Sequence, residues 1–337
     1  MPAGYRRCWT GAEVRGVSRS VRRGQGCRAA LLLGVSLLAA QAALAAQVPT
    51  PESVLGFRPG EARRLADWGQ VLAYVGALDA ASPRVRVEEI GRTTQGRPLV
   101  MVVVSSEANQ ARLEQIRLQN ARLADPRGLG EDEAERLVRS GRTIVAMGFS
   151  IHSTEVGGTL ASLSLLHRLA ASGDEQTRAI LDGTVLLALP SCNPDGTDIV
   201  ADWYRRQLGT AFEGTAPPVL YHPYVGHDNN RDWYMFTQPE TRATVEGLHR
   251  RWHPQIVHDV HQMGTRGARL FVPPYADPWE PNVDGALVAA VNALGMHVAA
   301  RLTTAGRSGI VTGAMFDAWT PARAYPHTHG GVRILSE

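Results

Sequence analysis

The chain has no lysine. All 35 basic residues are arginine, set against 32 acids, for a net charge of +3 over 337 residues. That usage fits an arginine-rich codon bias and is not by itself a nucleic-acid signal. Cysteine is almost as scarce: there are three, and none forms a CxxC pair. A disulfide framework, a zinc knuckle and a dithiol redox motif are thereby excluded. No internal repeat or low-complexity segment follows residue 46, which excludes a solenoid. With 44% hydrophobic and 20% charged residues, the composition is that of a globular protein of one large domain or two small ones.

The basic charge is concentrated at the N-terminus. Residues 1–28 hold seven Arg and one acid, Glu13. An apolar, Ala-rich run follows from Ala29 to Ala46 and ends in Ala43-Leu44-Ala45. A basic stretch, a short apolar core and a small-x-small end predict a secretory signal peptide over residues 1–45. At 18 residues the run sits near the lower limit for a membrane span, so no stable membrane anchor is expected after cleavage. Without the leader, 28 Arg face 31 acids, a net charge of −3. That leaves nucleic acid no electrostatic footing. Cys8 and Cys27 leave with the leader, so only Cys192 remains and no intrachain disulfide can form. An exported protein, secreted or periplasmic, is the expectation.

Residues 46–60 are Pro/Gly-rich and read as an extended arm, followed by one domain over 61–337. Helical spacing runs from Glu61 to Leu78, with Leu65, Trp68, Val71, Leu72 and Val75 on one face. Strands are expected at Arg84–Ile90, Leu99–Val104, Thr143–Gly148, Thr184–Leu189 and Gln255–Val260. Two polar helices are expected at about 107–124 and 131–140, and an amphipathic one from Pro239 to Trp252. Strands alternating with helices indicate an α/β fold: a mixed, mostly parallel central sheet with helices on both faces. The strands at Thr143, Thr184 and Gln255 end in polar clusters: His152 and Glu155, Asn193 and Asp195, and His261. In open α/β sheets that edge is where ligands bind.

Imidazole and carboxylate three residues apart, as in His152-Ser153-Thr154-Glu155, can face one zinc ion. In His258-Asp259-Val260-His261, strand alternation puts Asp259 and His261 on one face and His258 and Val260 on the other. His261, at the strand end, is the preferred third ligand; Asp259 could orient a histidine, and His258 reads as structural. In Asp228-Asn229-Asn230-Arg231, a guanidinium beside an amide can grip a carboxylate.

This set, His152-x-x-Glu155, Asn193-Pro194-Asp195-Gly196, Asn230-Arg231 and a strand ending in His261, resembles the zinc carboxypeptidases of the M14 (carboxypeptidase A-like) family. Exported bacterial members end that strand in D-x-H-E-M-G; here Gln262 stands for the Glu. The resemblance implies one Zn²⁺ ion held by His152, Glu155 and His261, with Asn230 and Arg231 on the substrate's terminal carboxylate. It implies an oxyanion-stabilising Arg after the Asp-Gly turn, for which Arg205 fits best and Arg206 is the near alternative. It implies a general base on a late strand, and Gly330–Glu337 supplies Glu337. A Tyr over the substrate carboxylate is also implied, for which Tyr325 is the candidate; Phe316 is better spaced but has no hydroxyl. His327 and His329 read as part of a solvated loop. The expected activity is removal of the C-terminal residue from peptides, protein-derived or cell-wall. Hydrolysis of acyl amino acids by a zinc amidohydrolase resembling succinylglutamate desuccinylase and aspartoacylase, or carboxylate binding without catalysis, are the alternatives. A strand stopping at its catalytic Glu reads as the end of a fragment of a longer protein.

Overall fold

The computed structural model describes residues 47–222, 227–277, 279–315 and 325–337. The predicted leader and Phe316 lie outside the described residues.

A six-stranded sheet forms the centre, in the order β1 (Val85–Arg92), β2 (Pro98–Val104), β4 (Thr184–Leu189), β3 (Thr143–Phe149), β5 (Ile256–Val260), β8 (Val332–Ser336). β2 is antiparallel to both its neighbours, whereas β4, β3, β5 and β8 run parallel. This is the mixed, mostly parallel sheet that the sequence predicts. A short parallel pair, β6 (Leu270–Phe271) and β7 (Ile310–Val311), continues it. Phe271 and Glu337 exchange backbone hydrogen bonds, N–H to O, of 2.7 and 3.3 Å.

The run Leu99–Val104 is buried on both faces because helices cover both. Val100, Val102 and Val104 pack with Trp68, Val71, Leu78 and Leu163. Met101 and Val103 point the other way, to Ile116, Leu187, Leu248 and Trp252. The β-branched residues that favour strands thus also fill two core layers.

Three local readings are corrected. Residues 46–60 are not simply extended: Thr50 caps a short helix, Pro51–Leu55, which ends at Gly56 with φ 78°. Pro at the first helical position and Gly just past the end account for it. The next helix is Trp68–Ala81, not one starting at Glu61, because Asp67 and Gln70 form a capping box there. The helix expected at 107–124 is broken into Glu107–Gln110 and Leu113–Ala124. Glu131–Ser140 forms as expected, and the amphipathic helix from Pro239 to Trp252 runs through a π-helical turn at Val245–His249. It lies so close to β1 that a Cβ on Gly91 would stand 2.6 Å from that of Ala243.

The Asn193-Pro194-Asp195-Gly196 segment is a scaffold joint. Asn193 Oδ1 caps helix Pro194–Gln207 by accepting from Gly196 N at 3.0 Å. The buried Asp195 carboxylate accepts from Thr93 Oγ1 (2.6 Å), Gln95 N (2.9 Å) and Arg97 Nη1 (2.9 Å). It thereby ties the β1–β2 turn to that helix. Asp195→Ala would orphan these donors and is expected to cost about 3 kcal/mol. Urea unfolding checks this: a loss below about 0.5 kcal/mol would show the joint to be incidental.

Candidate metal centre

The C-terminal ends of β3, β5 and β8 meet at one edge, and each delivers a different group. After β3 the chain reverses at Ser150, whose φ is 47°. The Ser150 hydroxyl donates to Glu155 O (3.0 Å) and accepts from Thr159 N (3.0 Å). Glu155 N donates to His152 O (3.0 Å). This tight loop sets the His152 and Glu155 side chains next to each other. β3 and β5 are paired through Phe149 and Val260, so His261 emerges beside that loop.

The three ligand atoms lie within 4.8 Å of one another. His152 Nδ1 is 2.7 Å from Glu155 Oε1, and His261 Nδ1 is 3.0 Å from Glu155 Oε2. The far ring nitrogens also face carboxylates. His152 Nε2 is 3.6 Å from Asp228 Oδ2, and His261 Nε2 is 3.2 Å from Asp259 Oδ2. A carboxylate on Nε2 favours the proton there and leaves the Nδ1 lone pair for a metal. Two imidazoles and a carboxylate are a donor set that suits Zn²⁺. The fit extends outward: Arg333 Nη2 holds Asp259 Oδ2 at 2.5 Å, and Gln262 N holds Glu155 Oε2 at 3.0 Å. Buried Asp228 Oδ1 and Asn230 Oδ1 have no partner beside it.

The remaining candidates divide. Asn230 is fully buried with its amide 3.5 Å from His152 Nε2, and Arg231 is exposed next to it. Glu337 follows Ser336, whose carbonyl accepts from His261 N at 2.8 Å. Since Val260 and Ser336 are in register, His261 and Glu337 extend from neighbouring strands toward the same face. His258 points to the other face, where its Nε2 meets Ser336 Oγ at 2.8 Å.

Arg205 does not come to this edge. Its guanidinium holds Asp67 Oδ2 (2.8 Å), Leu65 O (2.9 Å) and Gln70 Oε1 (2.8 Å), bracing the start of helix Trp68–Ala81. The helical phase of Pro194–Gln207 turns it toward that joint, and Arg206 is solvent-exposed. Tyr325 packs in an aromatic and imidazole cluster, its ring centroid 5.6 Å from Trp233, 5.2 Å from His249 and 6.0 Å from His329. His327 and His329 are half-buried, with His327 Nδ1 2.9 Å from Gly331 O. Sequence reasoning gave no role to Asp228 or Arg333. Asp228, two residues before Asn230, is the one whose spacing could have signalled it.

Burial opposes charge on both ligand histidines, yet the carboxylates outweigh it. Asp228 and Glu155 raise His152 to about 9, and Asp259 and Glu155 raise His261 to about 10. Stability from these imidazolium contacts is fully present below the ordinary value of 6.5. It is lost in the metal-free protein as pH rises through 9 and 10. Zinc must displace both protons, so its apparent affinity rises with pH up to that range. At pH 7.5 we expect release of about two protons per zinc, read by calorimetry in buffers of different ionisation heat. Release of none would mean that both imidazoles are already neutral in the metal-free protein at that pH. His261→Ala should abolish stoichiometric zinc binding by elemental analysis, whereas His258→Ala should keep it.

Comparison with known proteins agrees with this geometry. The fold is similar to that of carboxypeptidase A from Helicoverpa armigera, at 16% identity and a TM-score of 0.56, over 91% of this chain and 71% of that one. It is similar to a metallo-carboxypeptidase from Burkholderia cenocepacia, at 18% identity and 0.54, over 80% of this chain. Bovine thrombin-activatable fibrinolysis inhibitor matches at 11% and 0.51, over 81% of this chain and 86% of that one. The chain spans 59% of the length of the Burkholderia protein. No curated protein matches. The zinc carboxypeptidase model of the M14 peptidases matches residues 71–267, more than half of the chain and inclusive of His152, Glu155 and His261. The chain therefore belongs to the M14 zinc carboxypeptidase family.

Proposed function

We propose that this protein is an exported zinc metallocarboxypeptidase that removes the C-terminal residue from peptides. The observation that carries the reading is the juxtaposition at one sheet edge of His152, Glu155 and His261 with the Asn230–Arg231 pair. Zinc held by those three ligands would lower the pKa of a bound water toward neutrality. The Asn230 amide and the Arg231 guanidinium are a charge-assisted donor pair for a substrate carboxylate. Fixing that carboxylate lets only the last peptide bond reach the reactive centre. The Glu337 carboxylate, on the same face as His261, accepts a proton and returns it to the leaving amine.

A small cavity of about 50 Å³ borders Asp259, the partner of His261, and is lined by Gly148, Ile151, Leu189, Cys192, His258 and the Asp259–Arg333 pair. Its walls are mostly apolar and its charges are mutually compensated, which favours an uncharged terminal side chain. Substrates derived from proteins or from cell-wall peptides both offer such ends. The basic-then-apolar leader supports a secreted or periplasmic location, and a mature charge of −3 offers no attraction to nucleic acid.

Release of free amino acid from blocked dipeptides, abolished by a chelator, tests the reading. Hydrolysis of acyl amino acids alone would replace it with the zinc amidohydrolase alternative. Glu337→Gln should keep its zinc and lose about 10²- to 10⁴-fold in kcat. Arg231→Ala should lose about 10- to 100-fold in kcat/KM on a free C-terminus and little on an amidated one. Arg205→Ala should lower the melting temperature with kcat retained; a collapse of kcat in folded protein would restore it to the oxyanion role.

A further inference from the structure

At the end of the sheet away from the metal centre lies a groove of about 400 Å³, within the roughly 300–1,000 Å³ range of ligand sites. β3 begins beside it at Thr143 and ends at Phe149, by the His152 loop, about 20 Å away along the strand. Helices Leu113–Ala124 and Glu131–Ser140 supply Ile116, Leu123, Leu137 and Val138 to its walls. No residue of Glu131–Ser140 is buried, and Val138 is 67% exposed. The protein itself thus leaves part of this apolar surface uncovered.

The groove also carries charge without a counter-charge. Arg142 lines it. Arg142 Nε donates to Asn109 Oδ1 at 3.2 Å, and its Nη1 donates to Ser140 O (3.2 Å) and Gly141 O (2.7 Å). Arg112 Nη2 donates to the same Asn109 oxygen, also at 3.2 Å. The buried Asn109 is fixed in turn, its Nδ2 donating to Leu181 O (3.0 Å) and Asp182 O (3.1 Å). Two guanidiniums therefore meet at one neutral oxygen, and among the described residues neither forms an ion pair with a carboxylate. Other arginines of the same two helices do: Arg117 pairs with Glu114, and Arg139 with Glu135. Like charges held this close repel unless an anion shares them.

We propose that this groove is a binding site, separate from the metal centre, for a free apolar carboxylate built like a medium-chain fatty acid. Arg142 Nη2 makes no hydrogen bond among the described residues, and a guanidinium matches a carboxylate in charge and in geometry. The alkyl chain then covers Ile116, Leu123, Leu137 and Val138 and removes them from water. A neutral amphiphile leaves the two guanidiniums uncompensated, and a short acid leaves the apolar walls wet. Both halves of the ligand are needed. The inference stands whichever reaction the metal centre performs.

The test is titration calorimetry of the zinc-loaded full chain with octanoate, octanol and acetate, kept below the concentration at which octanoate forms micelles. Octanoate should bind saturably, and octanol and acetate should each bind about 10-fold more weakly or worse. Arg142→Gln should weaken octanoate by about 10-fold and leave octanol unchanged, since only the charge-assisted contact is lost. Val138→Glu, at an exposed position on the groove, sets a like charge against the carboxylate. It should weaken octanoate likewise and covers the case in which Arg142→Gln does not fold. Arg231→Ala should leave octanoate binding as it is, which separates this groove from the carboxylate site proposed at the metal centre. The proposal is overturned if octanoate does not bind saturably, if octanol binds as tightly, if neither groove variant weakens octanoate, or if Arg231→Ala abolishes it. Binding to phosphatidylglycerol vesicles without binding of octanoate would make the groove a contact with a lipid surface and overturns the free acid as its ligand.

Discussion

The site depends on one carboxylate shared by two imidazoles. Glu155 reaches His152 with one oxygen and His261 with the other, and those histidines come from loops after different strands. Only the parallel register of β3 against β5 brings those loops together. The same attraction that preorganises the donors also holds protons on them, because each ring is backed by a second carboxylate, Asp228 or Asp259. Affinity for a cation and affinity for protons are therefore two readings of one field.

Arg333 extends that logic into the core. It is almost fully buried, and it reaches Asp259, which reaches His261. A buried guanidinium is costly unless it is paired. Here the pairing fixes a carboxylate that in turn fixes an imidazole. Orientation of a ligand is thereby linked to packing between β5 and β8, two strands that also carry His261 and Glu337 toward the same edge.

Much of this was legible in the chain. Apolar runs marked the strands because strands buried on both faces have no alternation to hide. Period-two alternation separated His261 from His258, since residues an odd number of positions apart in a strand face opposite sides. Helix starts were less legible: Asp67 overrides an apolar pattern that begins at Glu61, because a capped turn satisfies backbone donors that periodicity ignores. Arg205 meets the start of helix Trp68–Ala81 for a related reason. Spacing from the Asp-Gly turn fixes how far along the helix an Arg stands, but the helical phase decides which neighbour it meets. Asp228 and Arg333 escaped because their roles are contacts between distant segments, and no local pattern encodes a contact.

One further consequence lies in the order of the chain. His152, Glu155, Asn230, Arg231 and His261 are all synthesised before the strand that carries Glu337. Glu337 is seated by bonds to Phe271 on one side, and on the other by its neighbour Ser336's bond to His261. A nascent chain can thus assemble its cation-binding donors while still lacking its proposed base. The groups that could hold a metal and the proposed base are thus contributed by separate stretches of the chain.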